Sequence, residues 1–224
     1  MKEKVAEEIA ARVKDGEVLG IGTGSTVTLA VQRIGERMKR EGISVHGVPT
    51  SIQTAAQCEA LGVSVLHPGY RGSIAWGFDG ADAVDSNFWL VKGKGGALLQ
   101  EKILAARCRE FIVIVDDSKL VPSLNDIPIP VEVVPEAAGY AERELLELGA
   151  SLVQLRPCTG GKHGPIITEA GNVILDASFP QVTKQLEDSI KCIVGVVESG
   201  LFTRFATELW VGSAQGVTKK KRAA

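Results

Sequence analysis

The sequence predicts an α/β fold: an open, mainly parallel sheet with helices on both faces, plus an inserted smaller ferredoxin-like α+β domain. Three observations predict it. Short apolar runs alternate with helical patterns through the first half, as strands covered by helices do. The stretch "LGIGTGSTVTLAV" at 19–31 passes from apolar to glycine-rich to amphipathic, a strand turning directly into a helix. After "NDIPIPVEVVP", whose three prolines mark a boundary, the element order becomes β-α-β-β-α-β.

In chain order, a first helix is expected over 3–14, with Val5, Ile9 and Val13 on one face and Gly16 as its left-handed cap. "VLGIG" reads as a buried strand. Helix 25–40 follows, with Val27, Val31, Ile34 and Met38 inward and Gly42 closing it. Strand "ISVHGV", helix 51–61 stopped by Gly62, and strand "VSVLH" repeat the unit, and "IAWGF", helix 96–108 and "FIVIV" repeat it again. Beyond the prolines come strand 130–134, helix 137–148, strand 151–156, a partly merged strand pair around the turn "EAGN", helix 182–192 and strand 194–197. "ELWVG" has no helix after it and is expected to return to the first sheet. The domains predicted are therefore 1–127 with 203–218 as the α/β catalytic domain, 128–202 as the insertion, and 219–224 as a solvated tail.

Composition narrows the function. The 224 residues can bury a sizeable core, and 45% hydrophobic content with 25 glycines suits a compact α/β chain. The 25 basic and 27 acidic residues nearly cancel, leaving no global field to draw the chain to nucleic acid or a membrane surface. No stretch approaches the roughly 20 apolar residues of a membrane span. The amino-terminal segment alternates charge, unlike a signal peptide. The scattered Cys58, Cys108, Cys158 and Cys192 signal neither zinc nor disulfides, and a reducing, cytoplasmic setting is expected. His46, His67 and His163 share no ligand spacing, so no metal is expected.

The first glycine turn is an anion cradle. Gly20, Gly22 and Gly24 follow a strand, and Ser25 and Thr26 open a helix whose amides and dipole favour negative charge. Neither the GxGxxG spacing nor the Gly-Lys-Ser/Thr ending of a P-loop is present, so a dinucleotide and a P-loop nucleotide are disfavoured. A turn that binds nothing stays open here. "FDGADAVD" brings Asp79, Asp82 and Asp85 to a strand end, where open α/β sheets place ligands, although a capped, solvated turn would look the same. In "VKGKGGALLQEK", glycines 93, 95 and 96 precede a helix, beside Lys92 and ahead of Glu101. A carboxylate and an ammonium near strand ends could make and hold an enediolate; the plainer alternative is an exposed helix face carrying Glu101 and Lys102. "VDDSKL" adds Lys119 at a further strand end, as an anion contact or a surface lysine.

Together the segments "GIGTGST", "VPTSIQTA", "DGAD", "KGKGGALLQEK", "VDDSK", "PIPVEV", "GNVILD" and "GVVESGLF" resemble ribose-5-phosphate isomerases of the A type, in the family's order over residues 20–202. The resemblance implies interconversion of ribose 5-phosphate and ribulose 5-phosphate in the pentose phosphate pathway, through an enediolate and without cofactor. It implies a small sugar-phosphate substrate and a homodimer or homotetramer. Carried over by position, Thr23, Gly24, Ser25 and Thr26 line the substrate site. Asp79, Gly80, Ala81 and Asp82 face the sugar, with the carboxylates assisting ring opening. Lys92, Gly93, Lys94 and Gly95 steady the oxyanion, Glu101 is the catalytic base, and Lys119 is a further contact. Lys2 falls where some members hold phosphate. Ala83 stands in place of a usual glutamate, Lys94 in a run of glycines, and "TEAGN" for "TDNGN". A non-catalytic sugar-phosphate sensor would need the glycine turn but not the Asp79, Lys92 and Glu101 set. A related amino-sugar-phosphate deaminase is disfavoured by "KGKGGALLQEK".

Overall fold

The computed structural model describes residues 1–159, 161 and 163–222. The chain forms two compact units, Met1–Ala81 with Gln100–Leu120 and Phe205–Ala224, and Asp82–Leu99 with Val121–Arg204. The second unit therefore draws in a segment well ahead of residue 128, where the sequence pattern changes.

In the first unit, helix α1 (Lys2–Arg12) leads into strand β1 (Glu17–Ile21), helix α2 (Ser25–Glu41), β2 (Val45–Pro49), α3 (Ile52–Ala60), β3 (Ser64–Val65) and β4 (Trp76–Asp79). The chain then passes through the second unit's two-residue strands β5 (Ala83–Val84) and β6 (Leu90–Val91) and returns along α4 (Leu98–Arg107) to β7 (Phe111–Asp116) of the first. After the second unit, β13 (Glu208–Gly212) and β14 (Val217–Lys221) complete a seven-stranded sheet in the order β14-β13-β7-β4-β1-β2-β3. All neighbours pair in parallel except β13 with β14. Alternate residues explain the two covered faces. Leu19, Ile21, Phe78 and Ile114 share one core with Val5 and Ile9 of α1 and Val31 of α2, while Val48 and Ile74 pack with Leu104 of α4. "ELWVG" does return to the first sheet, beside β7.

The second unit contains β8 (Ile129–Val133), α5 (Ala138–Glu147), β9 (Leu152–Leu155), β10 (Val173–Ser178), α6 (Leu186–Lys191) and β11 (Val196–Ser199). Its sheet order β11-β8-β10-β9 is antiparallel throughout, the ferredoxin-like arrangement. The inward row Ile129, Val131 and Val133 packs with Ala141 and Leu145 of α5 and Ile190 of α6. A second small sheet of β5, β6 and β12 (Leu201–Phe202) had no signal in the sequence, because two-residue strands are too short to show a period.

Four local expectations are corrected. The first helix ends at Arg12, not near Gly16, because Val13 turns to φ −59°, ψ 138°. Around "EAGN" only β10 is a strand, and it pairs with β9 and β8 rather than with the residues just before the turn. Helix 182–192 shrinks to α6, six residues long. Of the residues read as a solvated tail, 219–221 instead supply most of the edge strand β14, where the Lys219 ammonium lies 3.9 Å from the Trp210 ring centre and bonds Glu8 at 2.8 Å, while 223 and 224 lie outside the described residues.

Candidate functional site

Parallel pairing brings the carboxyl ends of β1, β2, β4 and β7 to one edge, with Ile21 opposite Pro49 and Phe78, and Asp79 opposite Val113. From β1 the sheet grows outward in both directions, so β1 and β4 bound the topological switch point at which open α/β sheets bind ligands.

Gly22 sits there for a steric reason. A Cβ on it would lie 2.0 Å from the Asp79 carboxyl carbon, so only glycine lets the aspartate occupy this place. Asp79 is fully buried, and its Oδ1 accepts from the amides of Thr23 (3.0 Å) and Gly80 (2.7 Å). Thr23 turns its hydroxyl away from the helix end into a cluster with Thr50 (2.8 Å), Ser51 (2.8 Å) and Thr54 (3.2 Å). Thr54 in turn donates to the Gly22 carbonyl at 2.9 Å. Thr50, Ser51 and Thr54 are not among the site residues the sequence singles out, although "PTSIQT" repeats the hydroxyl-rich strand-to-helix turn that follows β1. Ser51 also caps α3 by accepting from the Thr54 amide.

Gly24 precedes α2 at φ 131°, ψ 170°, a conformation open to glycine. No side chain caps α2 and its first turn carries no acidic residue, which leaves its amino end disposed toward an anion. Ser25 is exposed and accepts from the Lys2 ammonium at 2.8 Å, and Thr26 is buried in the same turn. Lys2 also lies 3.9 Å from Asp116, at the end of β7. Bonds from the Ser118 hydroxyl and amide hold the Asp116 carboxyl below its ordinary value against the opposing effect of burial, and the charges of Lys2 and Lys119 help. Lys119 closes the 3₁₀ turn Asp117–Lys119 at this edge, and Ala81 ends the first run of the unit. Glu101 and Lys102 are only 5% and 6% exposed on α4, so the exposed-face reading of this helix does not hold.

In the second unit, Lys92 is 2% exposed, with its ammonium 5.8 Å from the centre of the Phe202 ring. Its amide donates to the Gly200 carbonyl at 2.8 Å. Asp82 accepts from the Lys94 amide at 3.0 Å through Oδ2, so the use made of Lys94 here is of its backbone, while its side chain is exposed. Gly93 and Gly96 turn the loop at φ 96° and 85°, with Gly95 exposed between them. Asp85 has a local task instead: Oδ1 accepts from the amides of Asn87 and Trp89 and shapes the β5–β6 hairpin. Among the described residues no three of His, Cys, Asp and Glu gather as a metal cluster, and no helix is long and apolar enough to cross a membrane.

The model of the family described as ribose 5-phosphate isomerase A (phosphoriboisomerase A) matches residues 46–216. Ribose-5-phosphate isomerase A of Methanocaldococcus jannaschii is 42% identical over 99% of this chain and 98% of its own length. Ribose-5-phosphate isomerase A 1 of Oceanobacillus iheyensis is 38% identical over 97% and 96%. The solved structure of the Methanocaldococcus jannaschii protein superposes with a TM-score of 0.93, at 39% identity over 98% of this chain and 97% of that one. A structure of D-ribose-5-phosphate isomerase in complex with phospho-erythronic acid superposes with a TM-score of 0.94, at 39% identity over 99% and 97%. With the family model, relatives about 40% identical and the superposed folds all spanning most or nearly all of the chain, this chain belongs to the ribose 5-phosphate isomerase A family.

Proposed function

We propose that this enzyme, an aldose-ketose isomerase interconverting ribose 5-phosphate and ribulose 5-phosphate, uses Glu101 as the single base that carries a proton between C2 and C1. The observation that carries this reading is the burial of Glu101, 5% exposed on a helix that could have left it in water. A carboxylate withdrawn from solvent on a rigid helix suits reversible proton transfer at carbon. Glu101 takes the C2 proton of the opened aldose, the electron pair forms the C1–C2 double bond, and the carbonyl oxygen at C1 becomes the enediolate oxygen. Lys92 steadies that negative charge. As the hydroxyl proton on O2 passes to O1, the C2 carbonyl forms and C1 takes back the proton from Glu101. Asp79 and Asp82 assist ring opening and these hydroxyl transfers. The protein's own groups suffice for each step, so no cofactor is needed.

The phosphate goes to the amino end of α2, where Thr23, Gly24, Ser25 and Thr26 form the turn and Lys2 adds charge. Gly80 and Ala81 face the sugar, Gly93, Lys94 and Gly95 shape the loop beside Lys92, and Lys119 is a further anion contact. The phosphorylated sugar acid in the related structure supports an opened, phosphate-bearing sugar as the ligand. Free thiols at all four cysteines support a cytoplasmic setting. The chain is taken to act as a homodimer or homotetramer, which sedimentation equilibrium tests.

Glu101→Gln keeps shape and hydrogen-bonding reach and removes basicity. It should fold and bind as the parent does, with kcat lowered by about 10²–10⁴ and solvent exchange of the C2 proton lowered in parallel. Near-parent turnover in this variant would move the base to Asp79 or Asp82.

A further inference from the structure

We propose that Arg156 is a positioning residue for the loop that carries Lys92. The inference rests on the role given to Lys92 above. Arg156 follows β9 and faces Asp176 of β10: Nε donates to Oδ2 at 2.7 Å and Nη2 bonds Oδ1. The remaining nitrogen, Nη1, donates to two successive backbone carbonyls, Gly93 at 2.9 Å and Lys94 at 3.1 Å. The two side chains are 14% and 24% exposed, so the pair is largely shielded from the water that weakens surface ion pairs.

The recipient segment is one that needs holding. Gly93 and Gly96 both sit in the left-handed region, and the freedom that lets them adopt it also makes the loop costly to order. On its amide side the loop is tied by the Lys92 bond to Gly200 and the Lys94 bond to Asp82. Gly200 approaches so closely that a Cβ on it would fall 2.1 Å from the Lys92 carbonyl oxygen. On its carbonyl side, Arg156 takes Gly93 and Lys94, with the Gly96 amide also donating to Gly93 at 3.0 Å. A planar fork with five donors can bond a carboxylate with one edge and carbonyls with another, whereas a lysine ammonium cannot span both. Arg156 thereby ties the two residues that follow Lys92 to the four-stranded sheet. A displacement of about 1 Å at a charge-stabilising group can cost about a hundredfold in rate.

The test compares Arg156→Ala, Arg156→Lys and Asp176→Asn with Lys92→Ala, each alone, and Arg156→Ala again in the Lys92→Ala background. Expected is a fall in kcat of about 10- to 100-fold for Arg156→Ala with KM within about threefold. Arg156→Lys should fail to restore it, and Asp176→Asn should show a smaller loss of the same kind. When Lys92 is already alanine, removing Arg156 should change kcat by less than about twofold, the non-additivity of groups that act as one. If Arg156→Ala does not fold, the same cycle is run with Asp176→Asn. Parent-like kcat in the Arg156 variants beside a crippled Lys92→Ala would overturn the positioning role alone. An equal loss with and without Lys92 would overturn it too, as general damage to the fold. A parent-like Lys92→Ala would remove the underlying reading of Lys92.

Discussion

Single residues at this edge are chosen for what their neighbours need. Gly22 leaves room for the Asp79 carboxyl, and Thr23 contributes its amide to Asp79 while its hydroxyl joins a cluster on another turn. Lys94 serves its loop through the backbone: its amide donates to Asp82, its carbonyl accepts from Arg156, and its side chain is exposed. Lys94→Gly keeps both backbone groups. Its kcat/KM should therefore stay within about tenfold of the parent, an effect of about 1.4 kcal/mol or less on the barrier. A steady-state assay with ribose 5-phosphate checks this, and a loss of several orders of magnitude would assign the ammonium a direct role.

At the scale of elements, helix ends are settled by partners distant in the chain. The Arg37 Nη1 on α2 donates to the carbonyls of Ala10, Ala11 and Val13 at 2.5–3.0 Å, and its Nε donates to Glu41 at 2.7 Å. The last carbonyls of α1 thus find their donor on the neighbouring helix, beside a favourable charge for the helix dipole. With the Arg37 side chain only 21% exposed, its removal leaves the buried Val13 carbonyl without this donor, while Ala10 keeps the Val13 amide and Ala11 faces water. Arg37→Ala should cost about 2 kcal/mol and lower the thermal midpoint by about 4–8 °C, leaving kcat unchanged. Calorimetry against the parent reads both the sign and the size.

For the molecule as a whole, several carboxyls are held below their ordinary values, which gives acid stability a defined direction. Asp116 is lowered chiefly by its Ser118 bonds, Asp15 by its bonds to Ser44, and Glu41 by Arg40 and Arg37. Burial opposes the shift at Glu208, but its bonds to Trp210 and Lys221 prevail. A group whose folded value is depressed stabilises the fold above its unfolded value and loses that contribution as pH falls through the folded one. The contribution of these four carboxyls should therefore be constant above the ordinary values of 3.8 for Asp and 4.5 for Glu, and decline below them. In Asp116→Asn the decline should be shallower, because one of the titrating groups is gone. Thermal midpoints measured from about pH 2.5 to 6 test this slope; an unchanged slope would mean that Asp116 gains nothing on folding.

Long periodic segments carried their own information. The amphipathic α2, the buried runs of β1 and β7 and the return of "ELWVG" were legible because burial imposes a repeat on side chains, and a repeat needs only local sequence. The turn motifs marked where glycines, hydroxyls and carboxylates gather at strand ends, but not which of them serve a ligand: Asp85 in the same run only shapes a hairpin. Other features depended on residues far apart in the chain. That Glu101 and Lys102 are buried rather than exposed, that Thr23 meets Thr50 and Ser51, that α1 stops where Arg37 reaches it, and that the tail becomes strand β14 beside β13 are all settled by distant partners. Arg156 is the clearest case: nothing around it in "LVQLRPC" shows that its donors reach Gly93 and Lys94, because pairing with Asp176 and the path of the Lys92 loop exist only once the sheet has formed.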